Sequence, residues 1–251
     1  MSDFTFTEAQ ASAMLDWVIR SPALLGLAPE PALCGQPRVD LAALAQALGR
    51  EKRLGKRFEV LVAAWLAADH RYELLSQDEA IHVGGRTLGA PDLIVLDKET
   101  GSLEHWELTV KFYLGLEAGW LGPGKRDWLE EKAAHLATHQ LPLLQKAEAR
   151  DWLEARGWRI DNRRLLSRGM LFGHGPHRDY VRPEHAQGHW YQAHNLPRGD
   201  WFELERWQWI AKVELEELRP LRKAIDRPLM IAREANACLE RHFVVPTGWP
   251  K

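Results

Sequence analysis

The sequence predicts an α/β protein with a mixed central sheet flanked by helices, and three observations carry that prediction. Residues 54–68 hold apolar side chains at helical spacing, three strand-like stretches follow in close succession, and a long helical segment comes next. At 251 residues the chain is long enough to bury a sizeable core as one domain. The expected organisation is a single domain over 1–251. It has a helical N-terminal segment (1–50), a core (54–144), and an α+β C-terminal extension (150–251) packed on that core.

Thr7 and Glu8 open the first helix, which sets Ala11, Leu15, Val18 and Ile19 on one side. A second, short helix starts at Asp40. The third runs from Leu54 to about Ala68 with Phe58, Val62, Trp65 and Leu66 as its apolar stripe, bordered by Arg57 and Glu59. Strand-like stretches then cover Tyr72 to Val83, Thr87 to Leu96 and Leu103 to Leu114. A helical segment from Asp127 to about Arg156 carries a break at Pro142, where proline removes a backbone donor and clashes with the preceding turn. Beyond Trp158, strands are expected at Leu165 to Phe172 and at Arg206 to Val213.

A hydrophobic content of 45% with 27% charged residues excludes disordered and fibrous classes. No stretch approaches the ~20 apolar residues of a membrane helix, and Met1-Ser2-Asp3-Phe4 lacks the start of a signal peptide, so a cytoplasmic location with no membrane partner is expected. Cys34 and Cys238 lie far apart without a CxxC spacing and read as core residues. The net charge of -2 argues against indiscriminate coating of nucleic acid. Charge is nevertheless uneven: Arg50 to Arg57 holds five basic residues against Glu51, and Arg156 to Arg182 holds seven arginines against Asp161 and Asp179. Arg53, Lys56, Arg57, Arg163, Arg164 and Arg168 are the candidates for nucleic-acid contact, and a merely solvated face is the alternative.

The third strand is the most informative segment. Trp106, Leu108, Val110, Phe112 and Leu114 alternate with His105, Glu107, Thr109, Lys111 and Tyr113, the period-two pattern of a strand with one apolar face. The polar face is either solvated or functional. Pro91-Asp92 before Leu93-Ile94-Val95-Leu96 favours function, because a carboxylate at the entrance to an apolar strand is costly unless it is paired or metal-bound. Two carboxylates from neighbouring strands and Glu59 from the preceding helix supply the oxygen ligands that Mg²⁺ or Mn²⁺ takes. A phosphodiester would be the matching substrate.

The order of these residues resembles the PD-(D/E)XK (restriction-endonuclease-like) nuclease superfamily: a helix with Gly55-Lys56-Arg57-Phe58-Glu59, then Pro91-Asp92, then Glu107 on the next strand. More closely, His105 to Leu114, Gly122-Pro123-Gly124 and His139-Gln140-Leu141 resemble a bacterial family, domain of unknown function 1853. The superfamily resemblance spans about Leu54 to Leu144 and implies a metal-dependent nuclease, with Glu59, Asp92, Glu107 and Leu108 at the ion and Asp92, Glu107 and Lys111 in catalysis. The superfamily pattern sets a lysine two residues after the acidic strand residue, whereas here Thr109 holds that slot and Lys111 follows it. Lys111 Cα lies about 13 Å from Glu107 Cα, against about 7 Å for the usual slot. Thr109, Lys125, Lys132 and Gln140 are therefore expected in supporting roles, with Lys125 or Lys132 as alternative cations. Gln140 sits on the apolar stripe of Leu129, Ala133, Leu136 and Leu144 and is the polar group on the following helix that would line the site.

Other readings are weaker. Gly119 and Gly124-Lys125 begin a phosphate-binding loop, but Arg126 replaces its Ser or Thr. His174, His177, His185 and His189 lack the glutamate placement of an HExxH site. No Gly-x-Ser-x-Gly elbow is present. The rival from another class is a non-catalytic nucleic-acid or protein-binding module, in which tryptophans from Trp152 onward stack on bases beside the arginines.

Overall fold

In the computed structural model, which describes residues 5–235 and 238–251, the protein is mixed α/β. The Met1-Ser2-Asp3-Phe4 start used to exclude a signal peptide lies outside the described residues. The elements run α1 (Glu8–Arg20), α2 (Leu41–Arg50), α3 (Leu54–Ala68), β1 (Tyr72–Gln77), β2 (Ile81–Val83), β3 (Arg86–Gly89), β4 (Leu93–Asp97), β5 (Ser102–Leu116), β6 (Gly119–Leu121), α4 (Leu129–His135), α5 (Arg150–Glu154), β7 (Asn162–Phe172), β8 (Ala186–Gln192), β9 (Phe202–Glu203), β10 (Arg219–Pro220), β11 (Leu229–Ala235) and β12 (Cys238–Val245). They form two compact units: residues 5–11, 25–110 and 133–167, and residues 12–24, 111–132, 168–235 and 238–251. The division falls within α1, β5, α4 and β7.

In the first unit the strand order is β1-β4-β5-β7, with β1 and β5 both antiparallel to β4. Asp40 caps α2 by accepting from the Ala43 N–H at 3.0 Å, the short-range signal that starts this helix. Helix α3 spans the predicted residues and buries Phe58, Leu61, Val62, Trp65 and Leu66. Trp65 meets Tyr72 on β1 and Tyr72 meets Trp106 on β5, with ring centroids 6.1 and 5.1 Å apart. Another cluster joins Ile94 and Leu103 of the sheet to Leu143, Leu144 and Ala149. Both faces of β5 are consequently covered, which removes the solvated reading of its polar side: His105, Glu107 and Thr109 are all buried.

Three expected segments are subdivided. The stretch Tyr72 to Val83 breaks after Gln77, where Asp78 takes a left-handed φ of 55°, and the stretch Thr87 to Leu96 breaks before Asp92. Gly84 and Gly85, at φ 55° and 78°, turn the β2–β3 hairpin between them, a conformation glycine adopts without steric cost. The long helical segment is interrupted earlier than Pro142. A π-turn at Leu136–Gln140, closed by the Leu141 N–H to the Leu136 carbonyl at 2.9 Å, precedes 3₁₀ turns at Leu143–Gln145 and Ala147–Ala149.

In the second unit β8 is parallel to β7 and β12, β11 is antiparallel to β12 and β9, and β6 pairs with β5. A chain of edge-on and stacked rings, Trp17, Phe112, Trp209, Phe243 and Phe172, fills its interior. Trp201, Trp207, Trp209 and Trp249 are buried, so these four are packing residues rather than stacking platforms for bases. Arg206–Ile210 is a 3₁₀ helix, not the expected strand, because Glu205 and Gln208 form a capping box; the Glu205 N–H donates to Gln208 Oε1 at 2.7 Å. Both cysteines are exposed rather than core residues: Cys34 lies in the loop before α2, and Cys238 is the first residue of β12.

Candidate active site

All three carboxylates named from the sequence lie in the first unit. The register of β4 against β5 pairs Leu93 with Trp106 and Ile94 with His105. One further step along the same register sets Asp92 across from Glu107. The Leu108 N–H donates to Asp92 Oδ2 at 2.7 Å, tying the Asp92 carboxyl to the residue after Glu107. Burial and the neighbouring Glu107 charge push the Asp92 carboxyl up to about 7, a hydrogen bond with the Glu107 carboxyl adds to the rise, and the Leu108 amide opposes it. The two carboxylates therefore converge, and near neutral pH they hold a proton that isolated carboxylates would have lost.

Glu107 is fully buried. Its Oε1 lies 2.8 Å from His105 Nε2, and its Oε2 accepts from Gln140 Nε2 at 2.6 Å. A carboxylate only accepts, so His105 carries its proton on Nε2. Burial pulls the His105 imidazole down to about 4, keeping it neutral, and its Nδ1 is buried without a hydrogen-bond partner among the described residues. Gln140 reaches Glu107 from the π-turn, where the extra residue per turn re-aims a side chain relative to an ordinary helix. Thr109 is buried on the same strand.

Glu59 stands at the edge of this pair. Burial raises its carboxyl, the charges of Asp92 and Asp78 add to the rise, and Lys56 opposes it. Lys56 Nζ lies 2.7 Å from Glu59 Oε2 and also pairs with Asp78. Burial alone would lower the Lys56 ammonium, but its bonds to Asp78 and Glu59 prevail and hold it above the ordinary lysine range. The Asp78 N–H donates to the Asp92 carbonyl at 3.0 Å, so the turn after β1 is fastened to the backbone of the acidic residue. Sequence reasoning missed Asp78 altogether and assigned Lys56 only to nucleic-acid contact. The available signals were the Gln77-Asp78 end of the strand and the Lys56 to Glu59 spacing of one helical turn.

The other expected cations are placed elsewhere. Lys111 belongs to the second unit, where its Nζ pairs with Asp127 Oδ2 at 2.6 Å, and Tyr113 donates to the same oxygen at 3.1 Å. Lys125 is exposed and donates to the Lys251 carbonyl at 2.8 Å, while Lys132 is half-buried on α4. The stretch from Gly119 to Lys125 is strand β6 and a turn closed by the Lys125 N–H to the Gly122 carbonyl at 2.9 Å, not a phosphate loop.

Among the basic residues assigned to nucleic acid, two have to be withdrawn because they face the interior. Arg57 is buried, donates to the Glu51 carbonyl at 2.8 Å and lies over the Phe6 ring. Arg168, 2% exposed, donates to the Val18 carbonyl at 2.7 Å. Arg164 is held by Glu104, with Nε and Nη2 2.9 and 2.6 Å from one carboxylate oxygen. Arg53 and Arg163 are exposed.

Among the described residues, no group of three or more His, Cys, Asp or Glu side chains is arranged to hold a metal ion. Lys56, His105, Gln140 and the Leu108 amide bond to oxygens of the three carboxylates. A cleft of about 790 Å³ lies in the second unit, lined in part by His174, His189, Glu240, Arg241 and His242, and none of the three carboxylates lines it. No described helix is long and apolar enough to cross a membrane.

No curated protein and no solved structure matches the chain. Residues 14–243 match the model of a family described as a domain of unknown function, DUF1853. That match spans most of the chain, which therefore belongs to the DUF1853 family.

Proposed function

We propose that the chain is a divalent-metal-dependent nuclease with a PD-(D/E)XK core, hydrolysing phosphodiester bonds of DNA or RNA. The observation that carries the reading is the convergence of Asp92 and Glu107 from adjacent strands, with the Asp92 carboxyl raised to about 7. Two carboxylates forced together in a buried place are stable only with a shared proton or a cation between them. Carboxylate oxygens are the ligand type Mg²⁺ or Mn²⁺ takes, commonly one or two with several waters, and loading the ion would require the protein donors now bonded to Glu59, Asp92 and Glu107 to give way. Asp92 and Glu107 would hold the ion, joined by Glu59 and the Leu108 backbone. The ion when bound would polarise a phosphoryl oxygen and acidify a water.

The chain's own groups supply the rest. His105 and Gln140 fix both oxygens of Glu107, so its carboxylate cannot swing away. Lys56 brings a positive charge to the acidic group from α3, replacing the strand lysine absent at Thr109, and would stabilise charge developing on the phosphate. Arg53 and Arg163 remain exposed for phosphate contact.

The test is cleavage of single- and double-stranded DNA and RNA with Mn²⁺, alongside Asp92→Asn and Glu107→Gln. Cleavage that both substitutions abolish supports the reading; cleavage that survives either one refutes it. A second reading, a non-catalytic module with a nuclease-like core, is favoured by the occupation of the carboxylate oxygens by protein donors. It predicts a wild-type protein that binds nucleic acid but neither binds Mn²⁺ nor cleaves.

A further inference from the structure

The cleft of about 790 Å³ is lined by residues of the second unit, and its size suits a small organic molecule. Part of its wall is apolar, with Met170, Val213 and Trp17, whose ring stacks on Phe112 at 6.4 Å between centroids. The wall also carries the carboxylates of Asp16, Glu214 and Glu240, and each has a cation of its own. Asp16 pairs with Arg20, Glu214 with Lys212 at 3.9 Å, and Glu240 with Arg233 at 3.3 Å.

Arg241 breaks this pattern. It lines the same cleft, and among the described residues no carboxylate pairs with it. Burial pulls its guanidinium down to about 10, with no acidic neighbour opposing the fall. Nη2 donates to the Gln208 carbonyl at 3.3 Å and to the Ala211 carbonyl. The N–H groups of Nε and Nη1 then have no acceptor among the described residues, and neither nitrogen is enclosed, so they open on the cleft. The surroundings hold this charge in place. The Lys212 N–H donates to the Ala13 carbonyl at 3.0 Å, fastening the residue after Ala211 to α1, and Gly188 of β8 comes so near that an added Cβ would lie 2.3 Å from the Arg241 carbonyl oxygen. Carbonyl dipoles orient a guanidinium without neutralising it, and a charge drawn out of water without a counter-ion is costly.

We infer that the cleft is a binding site for a small monocarboxylate with an apolar body, its carboxylate paired with Arg241 and its body lying against Trp17, Met170 and Val213. The other charges of the wall are already matched, so a single negative charge balances the site, whereas a dianion brings one charge too many. The planar guanidinium suits a carboxylate, and the apolar wall gains by losing water to the body of the ligand.

The test is a ¹⁹F NMR titration of the full chain with 4-fluorobenzoate at constant ionic strength, with 4-fluorobenzamide as the uncharged counterpart. The wild type should bind the carboxylate saturably with a Kd of about 1 mM, as expected for so small a probe, and the amide at least about tenfold more weakly. Arg241→Gln should weaken 4-fluorobenzoate at least about tenfold, since it removes a charged donor. Gln187→Trp, at an exposed position of the cleft wall, leaves Arg241 in place and fills the space, and should abolish saturation. If Arg241→Gln fails to fold, the amide and Gln187→Trp decide the matter. No saturation of the wild type up to about 20 mM overturns the inference, as does equal binding of acid and amide, or an affinity unchanged in folded Arg241→Gln or in Gln187→Trp. Inorganic phosphate displacing the probe with a lower Kd than 4-fluorobenzoate itself overturns the assignment of a monocarboxylate.

Discussion

Replacing Asp92 by Asn should make the metal-free protein more stable at alkaline pH, and the size follows from its displaced titration. The Asp92 carboxyl is raised from 3.8 to about 7 by burial and by Glu107. Below pH 4 both folded and unfolded chains carry the proton. Between 4 and 7 the folded chain keeps it and the unfolded chain releases it, so stability falls as pH rises through this window. Above 7 the penalty is complete, about 4 kcal/mol for a shift of about three units. Between pH 5.5 and 8.5 the loss from this group alone is about 2 kcal/mol. Asparagine removes the charge, still accepts from the Leu108 amide and donates to Glu107. Urea denaturation in EDTA at the two pH values, on wild type and Asp92→Asn, reads the Asp92 titration together with its coupling to Glu107 and Glu59. The wild type should lose about 2 kcal/mol more than the variant. Parallel profiles would show that Asp92 is not squeezed against Glu107 and that the two do not form an ion-binding pair.

If the chain cleaves nucleic acid, Lys56→Met should lower turnover about a hundredfold, whereas Lys111→Ala, whose partner is Asp127, should change it by less than about threefold; steady-state rates on one substrate compare them. Glu104→Ala should destabilise by about 3 kcal/mol in denaturant titrations, since it strands the Arg164 guanidinium and the Trp106 indole N–H, while Asp16→Ala, which frees only the exposed Arg20, should cost under ~1 kcal/mol. Gly169→Ala should cost about 3 kcal/mol or more, measured the same way, because at φ 146° an added Cβ would lie 1.7 Å from the Lys111 carbonyl oxygen.

The helix α3 and strand β5 were legible because each has a period that the sequence states outright: Phe58, Val62, Trp65 and Leu66 at helical spacing, and His105 to Leu114 in alternation. Alternation says which residues share a face, but it does not say what covers that face. Glu107 looked the same whether it faced water or His105 and Gln140, and only the π-turn that aims Gln140 at it decides the matter. Charge runs are ambiguous in the same way. Arg57, Arg164 and Arg168 sit in basic stretches that suggested phosphate contact, yet each has a local acceptor, the Glu51 carbonyl, the Glu104 carboxylate and the Val18 carbonyl, that a linear reading does not reveal. The strand expected at Arg206 was misread for a different reason: Glu205 and Gln208 spell a capping box, and the apolar Trp207, Trp209 and Ile210 drew attention away from it. The most consequential gap concerns the missing strand lysine. Along β5 Lys111 pairs with Asp127, and under the proposed function a cation need only arrive near the carboxylates, from whichever element passes there. Lys56 arrives one helical turn before Glu59 and is met by Asp78 from 22 residues further along the chain, a pairing set by the turn after β1 and by no local periodicity.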